Sequence, residues 1–176
     1  MTSLFARALG PAFAALPEPL RRLHAPVGQR VWRGTAHLTQ GGWFARRLAR
    51  GAGFPVTEGP VPLDLTITTT AEGEVWTRHF GGHRLSSTLS ALPDGQIAER
   101  IGPFVLILRP RIDGEALLIP VVGMRLGPLP LPSGLAPRGG GRETTVAECV
   151  AFDVDSRLPG LGRILRYRGT LTEDTP

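Results

Sequence analysis

In residues 61–70 the chain alternates: Leu63, Leu65 and Ile67 fall on one side, Asp64, Thr66, Thr68 and Thr70 on the other. Residues two apart share a face only in extended backbone, so this stretch is a strand with one dry and one wet face. The same period recurs in most segments from residue 30 onward, among 23 glycines and 17 prolines that enforce turns. Such a chain folds as antiparallel sheet curving around an interior. No apolar run approaches the roughly 20 residues that a membrane helix requires, so nothing is expected to span a bilayer.

The alternation predicts seven strands. They cover 30–39, 61–70, 74–80 (continuing past Gly81-Gly82 to 90 as a bent strand), 97–112 with a break at Gly102-Pro103, 115–126, 143–155 and 164–171. Before them, Gly10-Pro11, Pro17 and Pro19 divide the first 28 residues into short helical pieces, with Leu20 and Leu23 docking the last piece on the core. A further helix is expected over 42–51, ended by Gly51-Ala52-Gly53, with Phe44, Ala45, Leu48 and Ala49 on its core side. The segment from Gly127 to Pro132 lacks the amide donors of a central strand and reads as a loop or lid whose leucines need cover. The expected fold is α+β but mostly β. It is one domain over 1–176, a strongly curved sheet or incomplete barrel of about seven strands over 29–172, closed at one end by the N-terminal helices.

The candidate site lies in Glu74-Val75-Trp76-Thr77-Arg78-His79-Phe80-Gly81, where Trp76, Arg78 and Phe80 share an aromatic face with a cation in it. Trp32, Phe104 and Tyr167 are further candidates for the lining, and Glu99 is expected to meet Arg78, because a buried carboxylate needs a cationic partner. That pair reads either as a structural ion pair or as a ligand anchor. No catalytic signature accompanies it. His79 and His83 lack the further ligands of a metal set, Ser86-Ser87 lacks a nucleophile elbow, and no dinucleotide-binding glycine motif follows a strand. No cofactor or metal is expected.

The formal net charge is +5, and every basic residue other than histidine is arginine. The arginines are scattered among acidic residues, without the dense basic patch and stacking aromatics of nucleic-acid readers, so nucleic acid is not an expected partner. The exception is the helix over 42–51, where Trp43, Arg46, Arg47 and Arg50 share a face. This face reads as ordinary solvated surface or, alternatively, as a peripheral contact with an anionic membrane. The single Cys149 has no intramolecular partner and fits a reducing compartment, so the cytoplasm is the expected location.

The order Leu20-Arg21-Arg22-Leu23-His24, Trp76-Thr77-Arg78-His79-Phe80-Gly81, Glu99-Arg100-Ile101-Gly102-Pro103, Gly127 to Pro137 and Arg166-Tyr167-Arg168-Gly169 resembles the bacterial family catalogued as domain of unknown function 4166. The resemblance implies a module that stands alone or is appended to a saccharopine-dehydrogenase-like reductase, and hence a reductase chain as an expected partner. It supplies no reaction and no catalytic residues. Three functional expectations follow. The leading one is a binding domain for an apolar or amphipathic, lipid-like small molecule, with Arg78 at its polar end. The second is an interaction module for a Rossmann-type reductase, docking through the proline-leucine loop. The third is a hydrolase or isomerase, which requires Arg78, Glu99 and His79 to converge.

Overall fold

The computed structural model describes residues 3–132, 134 and 136–174. Its strands are β1 (Gln29–Gln40), β2 (Gly59–Thr69), β3 (Gly73–Phe80), β4 (His83–Ala91), β5 (Ile97–Ile101), β6 (Phe104–Leu108), β7 (Arg111–Asp113), β8 (Ala116–Leu126), β9 (Leu129–Pro130), β10 (Arg138–Val146), β11 (Cys149–Leu158) and β12 (Gly162–Glu173). Ten of them close an antiparallel barrel in the order β1-β2-β3-β4-β5-β6-β8-β10-β11-β12, with β12 returning to β1. The short β7 and β9 pair with opposite ends of β8.

The barrel is thus closed, and larger than the seven-stranded incomplete sheet that the alternation predicts. Three two-residue reversals account for the difference. At Gly81-Gly82 the chain turns back on itself, Phe80 pairing with His83 across two glycines at φ +56° and +92°. This is the geometry of a tight hairpin, not of a bend within one strand. Gly102-Pro103 reverses the chain between Ile101 and Phe104, and Ala147-Glu148 does the same between Val146 and Cys149. Ala147 occupies φ +53°, a conformation that its residue type does not announce. The proline-leucine segment is outside the barrel wall as expected, but Leu129–Pro130 still forms a two-residue strand on β8, and the Leu131 amide donates to Met124 O at 2.9 Å.

Helices α1 (Leu4–Leu9) and α2 (Glu18–His24), joined by a 3-10 segment (Gly10–Ala15), form the floor. Ser3 Oγ caps α1 by accepting from the Ala6 amide at 3.2 Å. Leu4, Phe5, Leu16, Leu20 and Leu23 are buried in the main core with Trp32, Leu38, Ile67 and Leu117. Each such side chain contributes roughly 1.5–3 kcal/mol relative to exposure, which is what holds so short a helical segment on the barrel.

Helix α3 (Trp43–Gly51) covers the opposite end. Ala45 and Ala49 seat it on Ile164 and Leu165 of β12. Its C-terminus ends at Gly53 (φ +88°), whose carbonyl accepts from His83 Nε2 at 2.8 Å beside the β3–β4 turn. Phe44, expected on the core side, is instead 51% exposed beside Trp43, because the two alanines and not the phenylalanine meet the sheet. No helix among the described residues is long and apolar enough to cross a membrane.

Candidate functional site

Strand β3 turns Glu74, Trp76, Arg78 and Phe80 into the barrel, while His79 pairs with Asp64 and Arg84 on the outer face. Glu74, only 3% exposed, accepts from Trp76 Nε1 at 2.9 Å and from the Leu4 amide at 3.4 Å. One buried carboxylate therefore fixes both the indole and the first turn of α1. Two residues along, Arg78 reaches across β4 to β5. Its Nη1 donates to Ser87 Oγ at 3.0 Å and its Nη2 to Glu99 Oε1 at 3.3 Å, while Ser87 Oγ donates to the same carboxylate oxygen at 2.8 Å. The Arg78 and Glu99 side chains are 11% and 12% exposed. The guanidinium carbon also lies 5.2 Å from the Trp76 ring centroid, a cation–π contact in a largely desolvated setting.

A second polar pair secures the floor. His24, fully buried at the end of α2, hydrogen-bonds through Nε2 to Glu143 Oε2 on β10. Its ring stacks on Trp76 with centroids 5.7 Å apart and packs at a tilt against Phe5 at 4.1 Å. His24 Nδ1 has no hydrogen-bond partner among the described residues. Phe5, His24, Trp76 and Arg78 thus form one continuous cluster, bounded by three carboxylates, those of Glu74, Glu99 and Glu143.

Against this cluster lies a cavity of about 360 Å³. Phe5 and Leu23 line it at the floor, Trp76, Arg78, Glu99 and Glu143 at its polar side, and Leu48, Phe54, Phe104 and Met124 towards the α3 end. Tyr167 also borders it, with Phe80 packed edge-on at 5.5 Å. Burial pushes the Tyr167 hydroxyl above its usual value of 10.0, an effect the positive charge of Arg78 partly offsets. The structure therefore brings Trp76, Arg78, Glu99, Phe104 and Tyr167 to one cavity. Trp32 and Phe80 are packed in the core and do not border it. Arg78 and Glu99 meet as expected, but His79 points outward, so the three side chains of the enzymatic reading do not converge. Among the described residues, no three His, Cys, Asp or Glu side chains are grouped to hold a metal ion.

Sequence reasoning missed Phe5, His24, Glu74, Ser87 and Glu143. For Glu74 the signal was present, since it stands two residues before Trp76 on the same face. Ser87 required recognition of the Gly81-Gly82 reversal. The His24–Glu143 pair joins residues 119 apart and left no local trace.

The basic face of α3 is separate from this interior. Trp43 is 73% exposed, Arg47 lies over its ring at 5.6 Å, and Arg46 donates to Glu58 at 3.2 Å and to Gly41 O at 3.2 Å. Arg50 is exposed.

With this geometry in place, the chain is assigned by comparison: it belongs to the family described as Domain of unknown function (DUF4166), which matches residues 16–171. No curated protein matches the sequence. The family match begins after α1, whose Phe5 contributes to the cavity floor.

Proposed function

We propose that this domain binds a small amphipathic molecule, its polar end against Arg78 and Glu99 and its apolar end towards Leu48, Phe54, Phe104 and Met124. The observation that carries this reading is a hydrogen-bonded ion pair set in the wall of a largely apolar cavity. A volume of about 360 Å³ sits at the small end of the roughly 300–1,000 Å³ typical of ligand pockets. Few convergent polar groups in an apolar chamber fix orientation, and the chamber supplies affinity.

The charge balance narrows the head group. Arg78 is already neutralised by Glu99, and Glu143 adds a second carboxyl group to the wall, so a ligand carboxylate entering here meets no unmatched cation. A neutral head that both donates and accepts, such as a hydroxyl or an amide, suits the remaining guanidinium donors and carboxylate lone pairs.

Native mass spectrometry of protein purified from its own host, followed by organic extraction, tests the reading. The expected result is a retained amphiphile that is absent from Trp76→Ala protein, with long-chain alcohols displacing Nile red better than fatty acids of equal length. A bare protein mass together with no uptake of Nile red would overturn it.

A further inference from the structure

The cavity accounts for the inner side of α3 but not for its outer side. Trp43 and Phe44 stand adjacent, 73% and 51% exposed, with ring centroids 6.3 Å apart. The Gly41 amide donates to Ile164 O at 3.2 Å, which sets the start of α3 beside the β11–β12 turn, where Leu161 is 47% exposed. Large apolar side chains clustered at one end of a barrel mark a surface made for contact.

The accompanying charge selects the partner. Residues 41–57 contain no acidic side chain. Arg46 is committed to Glu58, but Arg47 rests on the indole and Arg50 is exposed, so two cations flank the aromatic pair. An indole, a phenyl ring and arginines on one side of a short helix match the headgroup boundary of a bilayer, where rings enter the interface and guanidinium groups meet lipid phosphates. We infer that α3 docks this domain on anionic phospholipid surfaces, bringing the cavity end lined by Leu48, Ala49 and Ala52 against the membrane. The docking rests on the exposed face alone. Its place beside the cavity gives it a purpose under the proposed function, since an amphiphile would then pass between bilayer and barrel without crossing water.

Sedimentation with vesicles of phosphatidylcholine, with and without phosphatidylglycerol, tests this directly. Trp32 and Trp76 are buried, so a blue shift of tryptophan emission on vesicle addition reports Trp43. Binding is expected only to the anionic vesicles and to weaken with salt. At roughly fivefold per arginine, Arg47→Ala/Arg50→Ala should weaken partitioning by about 25-fold. Trp43→Ala/Phe44→Ala should abolish the remainder. These side chains are surface-exposed, and both variants should melt with the parent and take up Nile red in the absence of vesicles. Equal binding to neutral vesicles, no binding to either, or unchanged binding by the variants would overturn the inference. So would capture of a purified reductase through α3 without vesicle binding, which would assign the face to a protein. Loss of Nile red uptake with vesicle binding intact would remove the cavity reading and leave the docking in place.

Discussion

A double-mutant cycle on Arg78 and Glu99 separates the anchor from the structural pair. Both side chains are nearly nine-tenths buried, and Glu99 has two hydrogen-bond donors among the described residues, Arg78 and Ser87. Arg78→Met keeps much of the aliphatic contact with Trp76 but leaves the Glu99 carboxylate with Ser87 alone. Breaking a buried pair on one side costs about 3–5 kcal/mol. For a domain of this size that lowers Tm by roughly 6–20 °C, at about 2–4 °C per kcal/mol. Glu99→Leu, which strands the guanidinium, should cost a similar amount. The double variant Arg78→Met/Glu99→Leu should recover most of the loss, because replacing both partners of a buried pair by apolar groups is often neutral or stabilising. Thermal melts of the four proteins give the coupling, and Nile red displacement by a long-chain alcohol gives the binding. The proposed function requires the double variant to be stable yet to bind the alcohol poorly. A double variant as unstable as either single one would refute the pair's energetic account, and one that is stable and binds normally would refute its role as the anchor.

Further predictions test the wall, the interior and the outer surface. A Cβ on Gly169 would lie 1.8 Å from Thr35 O, so Gly169→Ala should prevent β12 from pairing with β1 and abolish soluble expression; Gly51→Ala, with no atom within 4 Å, should be neutral or stabilise by up to about 1 kcal/mol in denaturant melts. Tyr167 is the one tyrosine in the chain, so an absorbance titration reads it without interference. Its phenolate should appear only above the ordinary value of 10.0, and higher still in Arg78→Met, where the opposing charge is gone. Because the folded value is raised, burial of the neutral hydroxyl stabilises the fold fully below the unfolded value and ceases to do so as pH rises through the folded one. On the outer face, hydrogen bonds from Arg166 hold Asp153 below its usual range, and for Asp155 burial is outweighed by hydrogen bonds from Arg163 and Arg157. With folded values depressed, both groups stabilise at neutral pH and lose that contribution as pH falls below about 4 through the lowered values. Denaturation midpoints should therefore fall less steeply in acid for Asp153→Asn/Asp155→Asn, and parallel curves would refute the linkage.

What the sequence disclosed and what it withheld divide along one physical line. Alternation is a local signal, and it placed Leu63, Leu65 and Ile67 inside, put Trp76 and Arg78 on one face, and matched β2 and β12 to within two residues. The end of α3 was equally legible, since a glycine beyond a short amphipathic stretch is itself the stop signal. Contacts between distant segments leave no such mark. Nothing near His24 announces Glu143, and the exposure of Phe44 depends on how closely two alanines let α3 approach Ile164 and Leu165. Trp32 and Phe80 have the right face for a lining, but they are taken up in core packing away from the cavity, which alternation alone does not disclose.

The hollow interior follows from the same turns that the alternation concealed. Eight strands give a barrel about wide enough for side chains to fill or for one small ligand, and each added strand widens it. With Gly81-Gly82, Gly102-Pro103 and Ala147-Glu148 each reversing the chain, ten strands close, two more than that. The barrel answers with an N-terminal plug whose Phe5 and Leu23 fill the floor, but leaves about 360 Å³ above it. Into that space it turns Arg78, Glu99 and Glu143, groups whose desolvation an apolar core would have avoided. Each of these groups is matched within the wall, Glu99 by Arg78 and Ser87 and Glu143 by His24, so their burial is compensated pair by pair, and it is the Arg78–Glu99 cycle that separates a structural pair from an anchor.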